Sequence, residues 1–315
     1  MDCLPEAAVR FSMRGETDMS ISLFASLMVN GVAMGMVYAL LGMGLILLVR
    51  AVGILNFAQG DLMMFGAYIA ACLLLDVKLP LWLMLPVAAL WFAVIGIIFM
   101  FTIYWPLRKA TYSQATIIAT MGASIALQEL AKLIWGSQPR TLQALIQTAD
   151  GKSAVLRLGA TTLQWQYLII IAVGGLIIFL ITQLFEKLYA GKMMQAACQD
   201  SYAANLLGVP SVLTICATYI IVMCVCGTCG FLVAPVFMVR STLGTLQLRA
   251  FAGVVIGGFG SIKGAVIGCL LVGVIESFST MAFSGYKDVT VFLLLIVFLI
   301  FRPNGLFKAK IGDKA

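Results

Sequence analysis

Histidine is absent from all 315 residues, and charged side chains make up only 10% of them. The first absence excludes a His-dependent catalytic triad and any zinc site built on imidazole. The second excludes an ordinary soluble domain, in which about a quarter of the residues are charged. The few carboxylates are spread over separate apolar runs with no paired spacing, so no acid and base stand together and no catalytic residue is assigned. A nucleotide loop is missing as well. "GGFGSIKG" brings Gly258, Gly260 and Lys263 together, but Lys263 is followed by Gly264 and Ala265, where a GxxxxGK[ST] loop needs Ser or Thr. Residues 1–18, "MDCLPEAAVRFSMRGETD", lack the apolar core of a secretory leader. They read as an N-terminal extension before a single domain over residues 19–315, with Met19 the expected true start.

What is present is apolar. Hydrophobic residues reach 62% and the mean hydropathy is +1.07, which describes a multi-pass membrane protein in contact with lipid. The net charge of +7 is scattered over loops and the C-terminal tail, so it argues for membrane-flanking charge and against a nucleic-acid partner. Cys72, Cys216, Cys224 and Cys269 sit inside apolar runs. The cluster "CVCGTCG", with Cys224, Cys226 and Cys229, lies in such a run too, and packing by small side chains is expected there rather than a metal site.

Apolar runs bounded by charges, Gly or Pro predict an all-α, polytopic bundle of eight or nine spans. They fall near 21–49, 59–76, 80–104, 112–135, 164–185, 212–238, 243–259, 264–282 and 288–302, the first long for one span and the seventh short. Gly31 and Gly35, and Gly260, Gly264 and Gly268 in series, have the spacing that lets helices approach closely. Two polar connections stand out: Gly136 to Trp165, which reads as a small folded loop, and "MQAACQDSYAANLLGVP", Met194 to Pro210, which reads as one short Ala-rich helix stopped by Gly208 and Pro210. A span separates them, so they lie on opposite membrane faces. Lys and Arg outside the spans divide nearly evenly between those faces and do not orient the chain; Arg302, Lys308, Lys310 and Lys314 beside the last span favour a cytoplasmic C-terminus.

Polar residues at membrane depth are the candidates for function. Asn56, Gln59, Gly60 and Asp61 break the apolar pattern between the first two spans, either as a tight turn or as part of a solute path. Glu129 and Lys132 are spaced to neutralise each other on one helix face, and Glu276 is a third ionisable group inside a run. An ion-coupled secondary carrier would draw on such groups.

Four stretches, "NGVAMGMVYALLGMGLILL", "GILNFAQGDLMMFGAYIA", "MQAACQDSYAANLLGVP" and "AFAGVVIGGFGSIKGAVIGCLLVGVIES" with "YKDVTVFLLLIVFLIFRPNGLF", resemble the shorter permease subunits of branched-chain amino acid ABC importers. The resemblance implies a permease subunit in the bacterial inner membrane, built as inverted halves from spans one to four and six to nine. It implies a second permease chain, two ATPase subunits that hold ATP and Mg, and an external solute-binding protein, with no cofactor on this chain. It makes Ala197, Asp200, Ala204 and Gly208 positions of the helix that couples to the ATPase. Relatives commonly have His at the place of Gln59 and Glu at the place of Asp61, and some import urea, short amides or other amino acids, so these solutes stand as the alternative.

Overall fold

The computed structural model describes residues 6–77, 80–107, 113–142, 155–158, 161–282, 287–302 and 305–307. Residues 1–5 of the expected extension and the tail lysines Lys308, Lys310 and Lys314 lie outside the described residues, and the backbone of 6–18 continues the first helix.

Helices dominate because each apolar run must pair its own backbone groups. They are α1 Glu6–Val52, α2 Gln59–Ala71, α3 Leu81–Phe99, α4 Trp105–Leu107, α5 Ser113–Trp135, α6 Trp165–Glu186, α7 Tyr189–Gln199, α8 Ser201–Leu206, α9 Ser211–Val233, α10 Leu246–Gly257, α11 Ile262–Ala282 and α12 Lys287–Phe301. Wider π turns, Cys72–Asp76 and Met100–Tyr104, extend α2 and α3. Among the described residues, seven stretches are long and apolar enough to cross a membrane, and Leu243–Gly257 and Asp288–Phe301 are shorter apolar helices. All nine expected runs are therefore helical, and the short seventh and the last are the two below spanning length.

The connection from Gly136 to Trp165 is not wholly irregular. Strands β1 Val155–Leu158 and β2 Thr161–Gln164 form an antiparallel hairpin, with Val155 opposite Gln164 and Leu158 opposite Thr161. Arg140 bridges to Val239 on the loop after α9 and bonds Asp76 Oδ2 at 2.9 Å, so the ends of α2, α5 and α9 share one face of the bundle.

α1, α2, α9, α10 and α11 make the core. Where α1 crosses α11, a Cβ on Gly31 or Gly35 would lie 2.8 Å from the Cα of Val274 or Leu270, so only glycine permits this approach. Gly264 and Gly268 meet the backbone of Gly257 and Gly253 on α10. Gly260 is different: it stands in the turn between α10 and α11 with φ +105°, a left-handed conformation, and not on a packing face. Cys226 and Cys229 are buried free thiols, with Cys229 Sγ 3.8 Å from Met63 Sδ. Beyond α12 the chain folds back, and the amides of Leu306 and Phe307 donate to the carbonyls of Ile256 and Gly257 at the end of α10.

Candidate functional site

The break after α1 is buried. Gly53, with φ +78°, ends α1, and the chain turns back into the bundle through residues 54–58. Asn56 Oδ1 accepts from the Ala58 amide at 3.0 Å, an Asx-type turn that starts α2, and the Phe57 amide donates to Thr120 Oγ1 at 3.3 Å. Gln59 Nε2 donates to the carbonyl of Leu41 at 2.7 Å. Leu41 lies in the middle of the span Leu23–Val52, so α2 begins deep in the bundle and not at its surface. Asn56, Gln59 and Asp61 are 1%, 0% and 2% exposed, so the turn is buried in protein.

α10 begins at the same place from the other side. The loop after α9 descends to a 3-10 turn, Leu243–Thr245, whose Gly244 lies against Asp61, while Gly60 lies against the Gly244 carbonyl and Gln247. The N-terminal ends of α2 and α10 thus meet inside the bundle. α5 supplies the remaining wall: Ser124 Oγ donates to Asp61 Oδ2 at 2.5 Å and Gln128 Nε2 to Oδ1 at 3.0 Å. Thr120, Ser124 and Gln128 recur every four residues and form one polar stripe on α5.

A second polar group gathers around Glu276, which the sequence singles out, and Arg249, which it does not. Arg249 on α10 pairs with Glu276 Oε1 on α11 at 2.7 Å and with Asp288 on α12, and its Nη1 donates to Tyr38 Oη on α1 at 3.2 Å. Tyr38 Oη donates in turn to Glu276 Oε2 at 2.6 Å. Arg249 falls within the expected seventh span, and a charge inside an apolar run is the signal that could have found it. By contrast Glu129 and Lys132 pair at 2.7 Å on an exposed face of α5, as their spacing predicts.

The stretch Met194 to Pro210 is two helices and not one. α7 ends at Gln199, and Asp200 is extended with φ −150° and ψ 102°. Its carboxylate accepts from the amides of Tyr202 and Ala203 at 2.9 and 3.0 Å, capping α8. Gly208, at φ +83°, turns the chain out of α8. Ala197 and Ala204 are buried, while Tyr202, Leu206 and Leu207 are 74%, 73% and 84% exposed. α7 is fastened to the end of α1: Arg50 Nη2 donates to Gln195 Oε1 at 3.4 Å, and Cys198 Sγ approaches the Val49 carbonyl at 3.9 Å. Between α1, α4, α7 and α9 lies an open cavity of about 620 Å³, bordered by Val52, Trp105, Ala197, Asp200, Asn205 and Ile215.

The family described as branched-chain amino acid transport system, permease component, matches residues 27–301. The chain belongs to this permease family. It is 31% identical over 295 residues to the high-affinity branched-chain amino acid transport system permease protein BraD of Pseudomonas aeruginosa, covering 89% of this chain and 94% of that one. It is 32% identical over 301 residues to LivH of Salmonella typhimurium, covering 90% and 95%. These relatives are transport permease subunits and not enzymes. Among solved structures, PsaBC from Streptococcus pneumoniae in complex with Fab is similar at 14% identity, 91% coverage of each chain and a TM-score of 0.46, too slight a likeness to bear on this permease.

Proposed function

We propose that this chain is the transmembrane permease subunit of an ATP-driven importer for branched-chain amino acids. The observation that carries the reading is the family match over residues 27–301, together with full-length likeness to permeases named for that transport. The same likeness does not favour urea, short amides or an ion-coupled carrier. Residues 19–315 then form one permease domain in the inner membrane. It works with a second permease chain, two ATPase subunits that bind ATP and Mg, and an external solute-binding protein.

The geometry supports a specific working order. α7 and α8 face the cytoplasm and meet the ATPase, and the C-terminus lies on the same side. Ala197 and Ala204 point inward, so they set α7 and α8 close against the bundle. Asp200 and Gly208 shape the α8 tip, which offers Tyr202, Leu206 and Leu207 outward. When the ATPases close on ATP, the push on α7 passes to α1 through Arg50, Gln195 and Cys198. From there it reaches the buried break at Asn56, Gln59, Gly60 and Asp61, which line the solute path. Inverted halves are supported by a shared pattern: α1 then α2, and α9 then α10, are each a long helix, a bend back and a helix that starts inside the bundle.

Reconstitution of the chain in proteoliposomes with its partner permease, ATPases and solute-binding protein tests this reading. Uptake of labelled leucine is expected with ATP and lost without it. Uptake that persists without ATP and collapses with an ion gradient would overturn it.

A further inference from the structure

We propose that the junction of the α2 and α10 N-termini is a subsite for an apolar α-amino acid, with Asp61 receiving its ammonium group and the Asn56 and Gln247 amides receiving its carboxylate. This rests on the importer reading above and gives its path a ligand chemistry.

Buried polar groups are normally hydrogen-bonded, because an unpaired one has lost water without replacement. At this junction Asn56 Nδ2, Gln59 Oε1 and both Nε2 and Oε1 of Gln247 have no hydrogen-bond partner among the described residues. All three residues are at most 3% exposed. Gln59 and Asp61 share the first turn of α2. Gln59 turns its amide to α1, at Leu41 and Gly44, whereas Asp61 faces α5 and Gly244, with Gln247 at Gly60 between them.

The donor set fits a zwitterion. An ammonium offers N–H donors, and Asp61 with the amide oxygen of Gln247 supplies acceptors. A carboxylate accepts only, and the amide nitrogens of Asn56 and Gln247 are donors. The positive end of the α10 dipole favours the same carboxylate, an arrangement that discontinuous membrane helices use for small anionic groups. Beside these groups the rings of Phe57 and Phe251 lie 5.7 Å apart, and Phe259 follows at 5.8 Å from Phe251. Phe251 is one turn beyond Gln247 on α10, so an apolar side chain would rest on aromatic surface as its backbone reached the amides. A neutral amide solute would leave the Asp61 charge unanswered. Gly60 and Gly244 touch, so the junction is closed in this conformation and the ligand enters as α10 moves off α2.

The competing account gives Asp61 only the task of tying α5 to α2 through Ser124 and Gln128. Leucine uptake and ATP hydrolysis stimulated by leucine-loaded binding protein, measured in the same proteoliposomes, separate the two. Asp61→Asn and Gln247→Leu are expected to lower uptake about tenfold or more, the worth of one charge-assisted contact, while ATP hydrolysis stays within about twofold. Asp61→Glu is expected to recover some of the loss. Asp61→Asn keeps a side-chain oxygen that can accept from Ser124 or Gln128 and removes the charge, so a loss of uptake there follows the charge and not the tie to α5. Parental uptake by Asp61→Asn, or no recovery in Asp61→Glu, would overturn the proposal. If Asp61→Asn fails to assemble, Gln247→Leu decides, and its parental uptake would overturn the proposal equally. A parent complex without ATP-driven uptake would instead sink the importer reading.

Discussion

Arg249 shows what one side chain can hold in this bundle. It answers two carboxylates and a phenol from three other helices, and Glu276, its partner on α11, is itself buried. Removing one member of a buried pair leaves the other charged and unanswered, so Arg249→Met is expected to cost about 3–5 kcal/mol. Asp288→Asn is expected to cost much less, because that carboxylate is mostly exposed. Thermal unfolding of the purified subunit in detergent checks the order; equal losses would refute it, and Arg249→Met with Glu276→Leu is expected to recover most of the single loss. The sequence could not supply these partners, since Tyr38 and Asp288 lie 211 and 39 positions from Arg249. The pair of Glu129 and Lys132 was legible because a helix sets its own i, i+3 neighbours.

The same division holds for whole elements. Apolar runs announce membrane helices because hydrocarbon allows few other backbones, so the helical segments were readable in order. The two helices between α6 and α9 read as one from sequence. Alanine favours a continuous helix and masks the cap at Asp200, although Asp is a residue type that commonly starts a helix. That cap matters for coupling in the reading proposed above. Asp200→Ala removes the two side-chain bonds to the α8 amides, a loss of about 1 kcal/mol. Gly208→Leu forces an L-residue into a left-handed conformation, costing about 1–2 kcal/mol. Both changes are expected to lower the leucine transported per ATP hydrolysed while leaving membrane insertion intact. An unchanged ratio in both would speak against a coupling role for α8.

At the scale of the molecule, the expected Asn56 to Asp61 group is gathered in one buried place, but its depth was not legible. "GILNFAQGD" reads the same whether it caps a surface turn or starts a helix inside the bundle, and only the contact of Gln59 with Leu41 decides. The faces of the molecule can be checked directly. Leu207 beyond α8 and Met238 beyond α9 are both exposed and stand at opposite ends of the bundle. Single reporter cysteines, Leu207→Cys and Met238→Cys, are expected to react with a membrane-impermeant thiol reagent from the cytoplasmic and external sides respectively. Labelling of both from one side would refute the topology.

The return of the chain after α12 gives α10 the mechanics of a lever. Backbone bonds from Leu306 and Phe307 pin its far end at Ile256 and Gly257, whereas its near end meets α2 through the smooth contact of Gly60 and Gly244. Twelve residues of helix make an arm of about 18 Å, so a tilt of about 10° about that pivot swings the near end by about 3 Å. A displacement too small to disturb the pivot is therefore enough to pull Gly60 and Gly244 apart in the middle of the membrane.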